Sequence, residues 1–486
     1  MIDISKYEKA QGALLASAIG DALGWPNENN SGNQSGIHNK DNKFVSWKRK
    51  NRYPFWHVET IEKGNYSDDT QLMLAVSRCL SYEDWMDKFT RIEYPSWLEY
   101  ERGGGRAVKK AASLWKKGVV PWKCSEYCKD YFRAGGNGGA MRILPHVISN
   151  SSNDTKDMLN DVIADVLFSH GHPRAILGAT CYAYALDYLF NKQGVLAFAE
   201  LVDVIIDGRK IWGAAPNEYK FLDWLETAKK QAGYNYSLEW NNCYTDMLKK
   251  LEYIKRILGD GLLLEDERVL GDIGAYSRVS GAGDVAALSS IYFFSRYANT
   301  PELAISIPAF SNGIDTDTIA AMTGGLIGIF YGKEWIPLEW KDVQDYSYIC
   351  SIAGELCDGM EKNELITGDI KQMSVVDSVE IKSKYTIVTR TKYKTSFGQT
   401  IYIKTMHERD EEKSISKGGE QDNFVTISVS QIEKMIKDEE LSRITLRKAL
   451  DIVRLKHQGL DKEKIAKTVK VNAKIVSKIV DAFEQE

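Results

Sequence analysis

Ser67-Asp68-Asp69-Thr70-Gln71-Leu72-Met73-Leu74-Ala75-Val76-Ser77-Arg78-Cys79-Leu80 changes character within four residues. From Leu72 to Leu80 it predicts a mostly apolar helix directed into a core. Yet it opens on two carboxylates and two hydroxyls side by side. An N-cap Ser or Asp with acid in the first turn satisfies orphan N–H groups and the positive helix end. Taken alone, the stretch reads as a cap. The chain then repeats the arrangement: Asn312-Gly313-Ile314-Asp315-Thr316-Asp317-Thr318 opens a second apolar helix, glycine-rich through Tyr331. One cap needs one or two oxygens, and two helix mouths with four carboxylates exceed that need. Clustered carboxylates raise one another's pKa. A divalent cation removes the repulsion, and oxygen ligands with no His or Cys nearby suit Mg²⁺ or Mn²⁺ rather than zinc.

Outward from these segments, residues 6–359 are dominated by small and apolar residues at helical spacing. Tyr7–Leu23, Asp161–Phe168, Arg174–Phe190, Val195–Ile206 and Asp284–Tyr297 each carry the i, i+3, i+4 pattern. Turn clusters separate them, and no string of alternating β-branched segments appears, so this part predicts an all-α domain. After Asp369 the texture changes. Val375–Thr405 alternates β-branched residues on either side of Ser-Phe-Gly, which predicts a small sheet or hairpin. A charged loop over Glu408–Gln421, a strand at Phe424–Val429 and renewed helical pattern from Gln431 follow. The expected divisions are 1–368, 369–430 and 431–486.

Composition narrows the class. A chain of 486 residues suggests two or three domains, and 43% apolar residues with 12 Trp and 25 Tyr supply a sizeable core. No apolar run approaches membrane-spanning length, and the N-terminus lacks a secretory pattern; a cytoplasmic protein without membrane contact is expected. Cys124 and Cys128 have no second pair at zinc-ligand spacing, so the seven cysteines read as reduced, buried thiols. From Leu441 onward 11 Lys/Arg face 6 Asp/Glu, whereas the whole chain carries −4. An acidic body with a basic tail suggests two parts with different partners. Within the tail, Leu446–Gly459, Leu460–Val469 and Ala473–Phe483 read as helices, the last two joined by a brief turn. That order fits a DNA-binding helix-turn-helix with Lys470, Lys474 and Lys478 near phosphates. It fits a small protein-interaction module equally in outline.

Six motifs in order resemble the ADP-ribosylglycohydrolase family, which includes the dinitrogenase-reductase-activating glycohydrolases. They are Gly12 to Glu28 with Gly20-Asp21, Ser67-Asp68-Asp69-Thr70, Arg102-Gly-Gly-Gly-Arg106, Gly136-Asn137-Gly-Gly-Ala-Met141-Arg142, Gly171-His172-Pro-Arg-Ala and Asp315-Thr-Asp317-Thr318. The resemblance spans residues 6–340. It implies an all-helical fold and two Mg²⁺ or Mn²⁺ ions held by Ser67, Asp68, Asp69, Asp315, Asp317 and Thr318. Glu28 falls where the family keeps a mobile carboxylate for acid–base work, so Glu28, Asp68, Asp69 and Asp315 are the implied catalytic residues. Gly103, Gly104, Gly105, Asn137, Gly138, Gly139, Ala140, Met141 and His172 would line the ADP-ribose cleft.

The implied reaction is hydrolysis of the glycosidic bond joining ADP-ribose to an Arg, a Ser or a nucleobase. Two departures stand out. Gly313-Ile314 replaces the usual Gly-Gly before the second acidic motif, and Ser280–Leu288 lacks the bulky, aromatic-containing stretch expected there. A rival reading is a non-catalytic sensor of ADP-ribose or a nucleotide with a DNA-binding tail.

Overall fold

The computed structural model describes residues 4–28, 42–51, 57–150, 154–216, 218–260, 265–358, 373–382, 386–408, 452, 461–469 and 471–484. The helices that matter for the site are α1 (Lys6–Gly24), α2 (Asp68–Cys79), α3 (Arg106–Lys116), α4 (Thr155–Leu167), α5 (Pro173–Asn191), α6 (Glu200–Asp207), α7 (Tyr236–Asp260), α8 (Gly283–Tyr297), α9 (Pro301–Phe310), α10 (Thr316–Tyr331) and α11 (Tyr346–Asp358). The fold is mostly helical with small sheets, as expected. One helix is shorter than its pattern: the segment Val195–Ile206 becomes helical only at Glu200. Ala199 lies at φ 61°, a left-handed conformation that a right-handed helix cannot run through.

Helix α10 is buried from Thr316 to Phe330. It lies against α1 with almost no side chain between them. A Cβ on Gly20 would sit 2.2 Å from the Ala320 carbonyl oxygen, and one on Gly24 would sit 2.2 Å from that of Thr316. From the other side, a Cβ on Gly324 would meet the Ala16 oxygen at 2.1 Å, and one on Gly328 the Gly12 oxygen at 2.0 Å. Glycine is therefore required at this seam for close approach. Because Gly12 meets Gly328 and Gly24 meets Thr316, the helices run antiparallel. The end of α1 reaches the mouth of α10, where Thr316 Oγ1 donates to the Gly24 carbonyl at 2.8 Å.

Inside the region expected to be wholly helical, β1 (Trp47–Asn51) pairs antiparallel with β2 (His57–Ile61). Five-residue strands carry too little alternation to register as a period, and their burial depends on a distant partner. That partner is the expected sheet, β3 (Met373–Lys382), β4 (Thr386–Thr395) and β5 (Thr400–Glu408), antiparallel in the order β3-β4-β5. The chain divides into compact units Met1–Asp410 and Glu411–Glu486, and the sheet belongs to the first.

Several contacts fasten the sheet. Arg78 Nη1 donates to Gln399 Oε1 at 2.8 Å and Phe397 stacks near Tyr348. The Thr400 amide and hydroxyl donate to the Asp345 carboxylate. Lys404 pairs with Glu59 of β2, whose side chain is fully buried. In the tail unit, α12 (Lys462–Val469) and α13 (Ala473–Glu484) bury Ile465, Val476, Ile479 and Val480. Asp461 caps the first and Asn472 the second. The expected strand at 424–429 lies outside the described residues, as does the 446–459 helix apart from Ile452. All seven cysteines are free, and among the described residues no helix is long and apolar enough to cross a membrane.

The seam makes a sharp expectation. Gly20→Ala or Gly324→Ala should each lower unfolding free energy by about 2 kcal/mol, the cost of overpacking against backbone that cannot move aside. Gly259→Ala, in open space near the end of α7, should be neutral or slightly stabilising. Urea midpoints check this, and equal midpoints for all three would mean the helices do not touch as described. A second expectation concerns pH. Burial raises the Glu59 carboxyl, but the Lys404 and Arg102 charges and the Lys404 hydrogen bond outweigh it and hold the carboxyl at about 2. With an unfolded value of roughly 4.3, its contribution is complete above that pH and is lost as pH falls toward 2. Glu59→Gln should therefore destabilise the protein by roughly 3 kcal/mol at pH 7 and by much less near pH 2.5. A pH-independent difference in urea unfolding would contradict it.

Candidate active site

Helix α2 begins with its capping needs already met by other groups. Ser67 is the N-cap, its Oγ accepting from the Asp69 amide at 3.2 Å. Asp21, on the last turns of α1, accepts from the amides of Ser67 and Thr70 and from Thr70 Oγ1 at 2.6 Å. Asp68 and Asp69 are thus left for another purpose. Both are buried. Asp69 Oδ2 accepts from Ser67 Oγ, while its Oδ1 has no hydrogen-bond partner among the described residues. A buried, unsatisfied carboxylate oxygen is costly unless something positive faces it.

The mouth of α10 supplies the facing half. Asp315 is its N-cap residue but makes no side-chain cap bond. Its Oδ2 instead accepts from Asn137 Nδ2 at 3.0 Å. Asp317 Oδ1 accepts from the Thr318 amide at 2.9 Å. Across the two mouths, one oxygen each from Asp21, Asp69 and Asp317 lie within 4.8 Å of one another. The donor set is all oxygen, and Asp69, which carries the orphaned atom, is one of the three. These residues fit a hard divalent cation.

Electrostatics point the same way. Burial, then the charges of Asp21, Asp68 and Asp315, push the Asp69 carboxyl well above its ordinary value. Burial, then Glu28, Asp315 and Asp69, does the same to Asp317. Burial, then Glu101, Asp21 and Glu28, raises Asp68. Glu28 is lifted to about 7 by burial and by Asp315, against the opposing pull of Arg49. Such a cluster destabilises itself until a cation or protons neutralise it.

The two mouths open on a cavity of about 740 Å³. Glu28, Asp68, Asp69, Asp315, Asp317 and Thr318 line one wall; Gly103, Gly105, Asn137, Gly138, Met141 and His170 lie on the others. Several expected residues stand one layer behind. Ser67 is buried in its cap, Gly104 is backed by Trp97, Gly139 by Val166, and Ala140 is wholly buried. His172 caps α5, its Nδ1 accepting from the Arg174 amide, and its Nε2 lies 3.6 Å from Glu239. It does not line the cavity.

His170 does line it. Burial and then the Arg142 charge hold its pKa down at about 3, so the ring is neutral. Ser169 Oγ, 2.7 Å from its Nδ1, fixes its orientation, and Arg142 Nη2 donates in turn to Ser169. Arg142 also donates to the Gly138 carbonyl and pairs with Asp165, holding the glycine loop from behind. The loop's front is tied by the Asn137 amide donating to the Gly281 carbonyl at 2.9 Å. Asp21 and Gly281 escaped the sequence reading as site residues. Asp21 stands inside the Gly20-Asp21 motif, which pointed to it; nothing in the residues around Gly281 did.

A mostly helical fold thus brings two acidic helix mouths to one cleft. The ADP-ribosylglycohydrolase family model matches residues 3–365, and the chain belongs to that family. It is similar to ADP-ribosylhydrolase ARH3 of Danio rerio, at 26% identity over 301 residues, 57% of this chain and 72% of the relative. The Xenopus tropicalis ARH3 is also 26% identical, covering 68% of this chain and 89% of the relative. The ADP-ribosyl-[dinitrogen reductase] glycohydrolase of Rhodospirillum rubrum is 26% identical over 203 residues, 40% of this chain and 63% of the relative.

Magnesium titration tests the cluster. In wild-type protein Mg²⁺ should raise the melting temperature, by an amount equivalent to about 2.7 kcal/mol at a hundred times its Kd. The Asp69→Asn, Asp317→Asn double variant should melt no lower than wild type in chelator, because two mutually repelling charges are gone, and should not respond to Mg²⁺. An unchanged response in the variant would remove both carboxylates from cation binding.

Proposed function

We propose that the chain is a cation-dependent hydrolase that removes ADP-ribose from a modified protein side chain or nucleic acid, cleaving the N- or O-glycosidic bond at the distal ribose. The observation that carries this reading is the meeting, within 4.8 Å, of carboxylate oxygens from the buried Asp21, Asp69 and Asp317 at a cleft of ligand size, with Asp69 Oδ1 left without a hydrogen-bond partner among the described residues. Asp68, Asp69, Asp315 and Asp317, with Ser67 and Thr318, are the residues that would hold two Mg²⁺ or Mn²⁺ ions. When bound, such ions supply charge neutralisation and Lewis acidity beside the ribose hydroxyls.

The chain's own groups do the rest. Water adds to the anomeric carbon, the bond to the acceptor nitrogen or oxygen breaks, and one proton passes from the water to the leaving group. Glu28, a buried carboxyl that burial and then Asp315 push up from its ordinary value, lies on the cleft wall and is suited to carry that proton. Asn137 fixes Asp315 in place. His170, uncharged, offers hydrogen bonds without adding to the local field. Arg106 and Lys110 are exposed at the rim and give it positive charge suited to a diphosphate. The sensor reading is less favoured, because nucleotide sensing does not need four buried carboxylates whose repulsion lowers stability.

The tail is read as a nucleic-acid contact, supported by its net positive charge and by two capped helices joined through residues 470–472. One experiment addresses both parts. Purified protein is incubated with ADP-ribosylated arginine, serine and DNA substrates, with Mg²⁺ or chelator. Release from one class, abolished by chelator and by Asp315→Ala, Asp317→Ala, is the expected result. Glu28→Gln should lower kcat roughly 100-fold. If DNA is the substrate, Lys474→Glu on the exposed start of α13 should weaken its binding and not affect small substrates. Release undiminished in the double variant would end the proposal.

A further inference from the structure

The family match ends at residue 365, yet a side chain from the sheet beyond it reaches Arg102, the residue before Gly103 on the wall of the cleft. Tyr402, on β5, is buried, and its ring centroid lies 4.2 Å from the guanidinium carbon of Arg102. The Trp25 ring also lies against that guanidinium, its centroid 5.2 Å from the same carbon. Arg102 is 1% exposed and sparsely hydrogen-bonded. Nη1 donates to Asn65 Oδ1 at 3.1 Å and the backbone amide to Gln71 Oε1 at 3.1 Å. Nε and Nη2 have no hydrogen-bond partner among the described residues, and Glu59 is 4.0 Å from Nη2. With few hydrogen bonds to fix it, the guanidinium is held in part by its attraction to these two rings.

What Arg102 holds is the site. The next residue, Gly103, sits at φ 112°, and a Cβ there would come within 2.7 Å of Asp68 Oδ1. Its backbone is thus packed against a carboxylate of the acidic cluster. Trp25 opens the turn that ends at Glu28, closed by the Glu28 amide donating to the Trp25 carbonyl. One buried cation therefore joins the Gly103 wall and the Glu28 turn.

We propose that Tyr402 is a positioning residue for the cleft: its ring clamps Arg102 against Trp25 and thereby sets Gly103 against Asp68 and Glu28 over the acidic cluster. This rests on the hydrolase reading. The appended sheet is on this account part of the working site, and its removal from the ring alone is felt at the chemistry.

The test uses the full chain with Tyr402→Leu, which keeps apolar bulk without a ring face, and Tyr402→Phe, which keeps the face. Tyr402→Leu should lower kcat about tenfold, as a small displacement of reacting groups does, with a smaller change in KM. Tyr402→Phe should match wild type. Calorimetric Mg²⁺ affinity is the second readout, independent of turnover, and should fall about tenfold in the Leu variant alone, by the same loss of placement at Asp68. Lys404→Gln is the second variant should the first not fold: it releases Glu59 to draw Arg102 off the ring, and both readouts should fall. A folded Leu variant with wild-type kcat and Mg²⁺ affinity overturns the proposal, as does a Phe variant as impaired as Leu. Wild-type protein that releases no ADP-ribose from any substrate defeats the activity reading, and the Mg²⁺ affinities then decide the positioning role.

Discussion

Backbone-to-backbone contact between α1 and α10 is the constraint on which the site depends. Where glycines 12, 20 and 24 of α1 and 324 and 328 of α10 each meet the opposite helix's backbone, the helices approach more closely than side chains permit. Their antiparallel course brings the end of α1, with Asp21 and the turn to Glu28, to the beginning of α10, with Asp315 and Asp317. Helix α2 is drawn into the same place because Asp21 caps it. Three segments far apart in sequence thus meet through one seam and one carboxylate. Widening that seam by a methyl group would move the halves of the cluster apart by a distance that matters for any shared ligand.

Electrostatics set the opposite demand. The N-termini of α2 and α10 carry partial positive charge, worth typically 0.3–1 kcal/mol to a nearby acid. Burial, and then the repulsion among these acids, outweighs what two helix ends return, and the carboxyls of Asp68, Asp69 and Asp317 are all displaced upward. The fold tolerates the cluster because the surrounding helices are densely packed. Asp165 provides a contrast. It too is wholly buried, and burial raises its carboxyl, but Arg142 and His146 outweigh that and hold it low. A buried acid whose job is structural has its cation built in.

The appended sheet obeys the structural pattern. Glu59 meets Lys404, Asp345 meets Lys394 and Thr400, and Arg78 meets Glu93 and Gln399. Glu59–Lys404 and Asp345–Lys394 pair across the junction, and Arg78, already paired with Glu93 on the helical side, donates across it to Gln399. Tyr402 extends that junction to Arg102 and so to the cleft.

Much of this was legible from residues alone. Apolar periodicity located α1, α5, α8 and α10, since a buried helix carries its pattern within itself. The doubled acidic mouths stood out as a shared feature, because two caps cannot need four carboxylates. What escaped depended on partners distant in the chain. The β1–β2 hairpin is short and is buried by a sheet more than 300 residues later. His170 and His172 are two residues apart and chemically identical, and only the packing of Gly135–Gly139 turns the first toward the cavity and the second toward Glu239. The sequence by itself determined the helices, the acidic motifs and the basic tail, because those are set by local composition and spacing. Which oxygens face one another, which histidine lines the cleft and which aromatic ring grips Arg102 were decided only by the tertiary structure, since each is a distance between segments that local forces do not constrain.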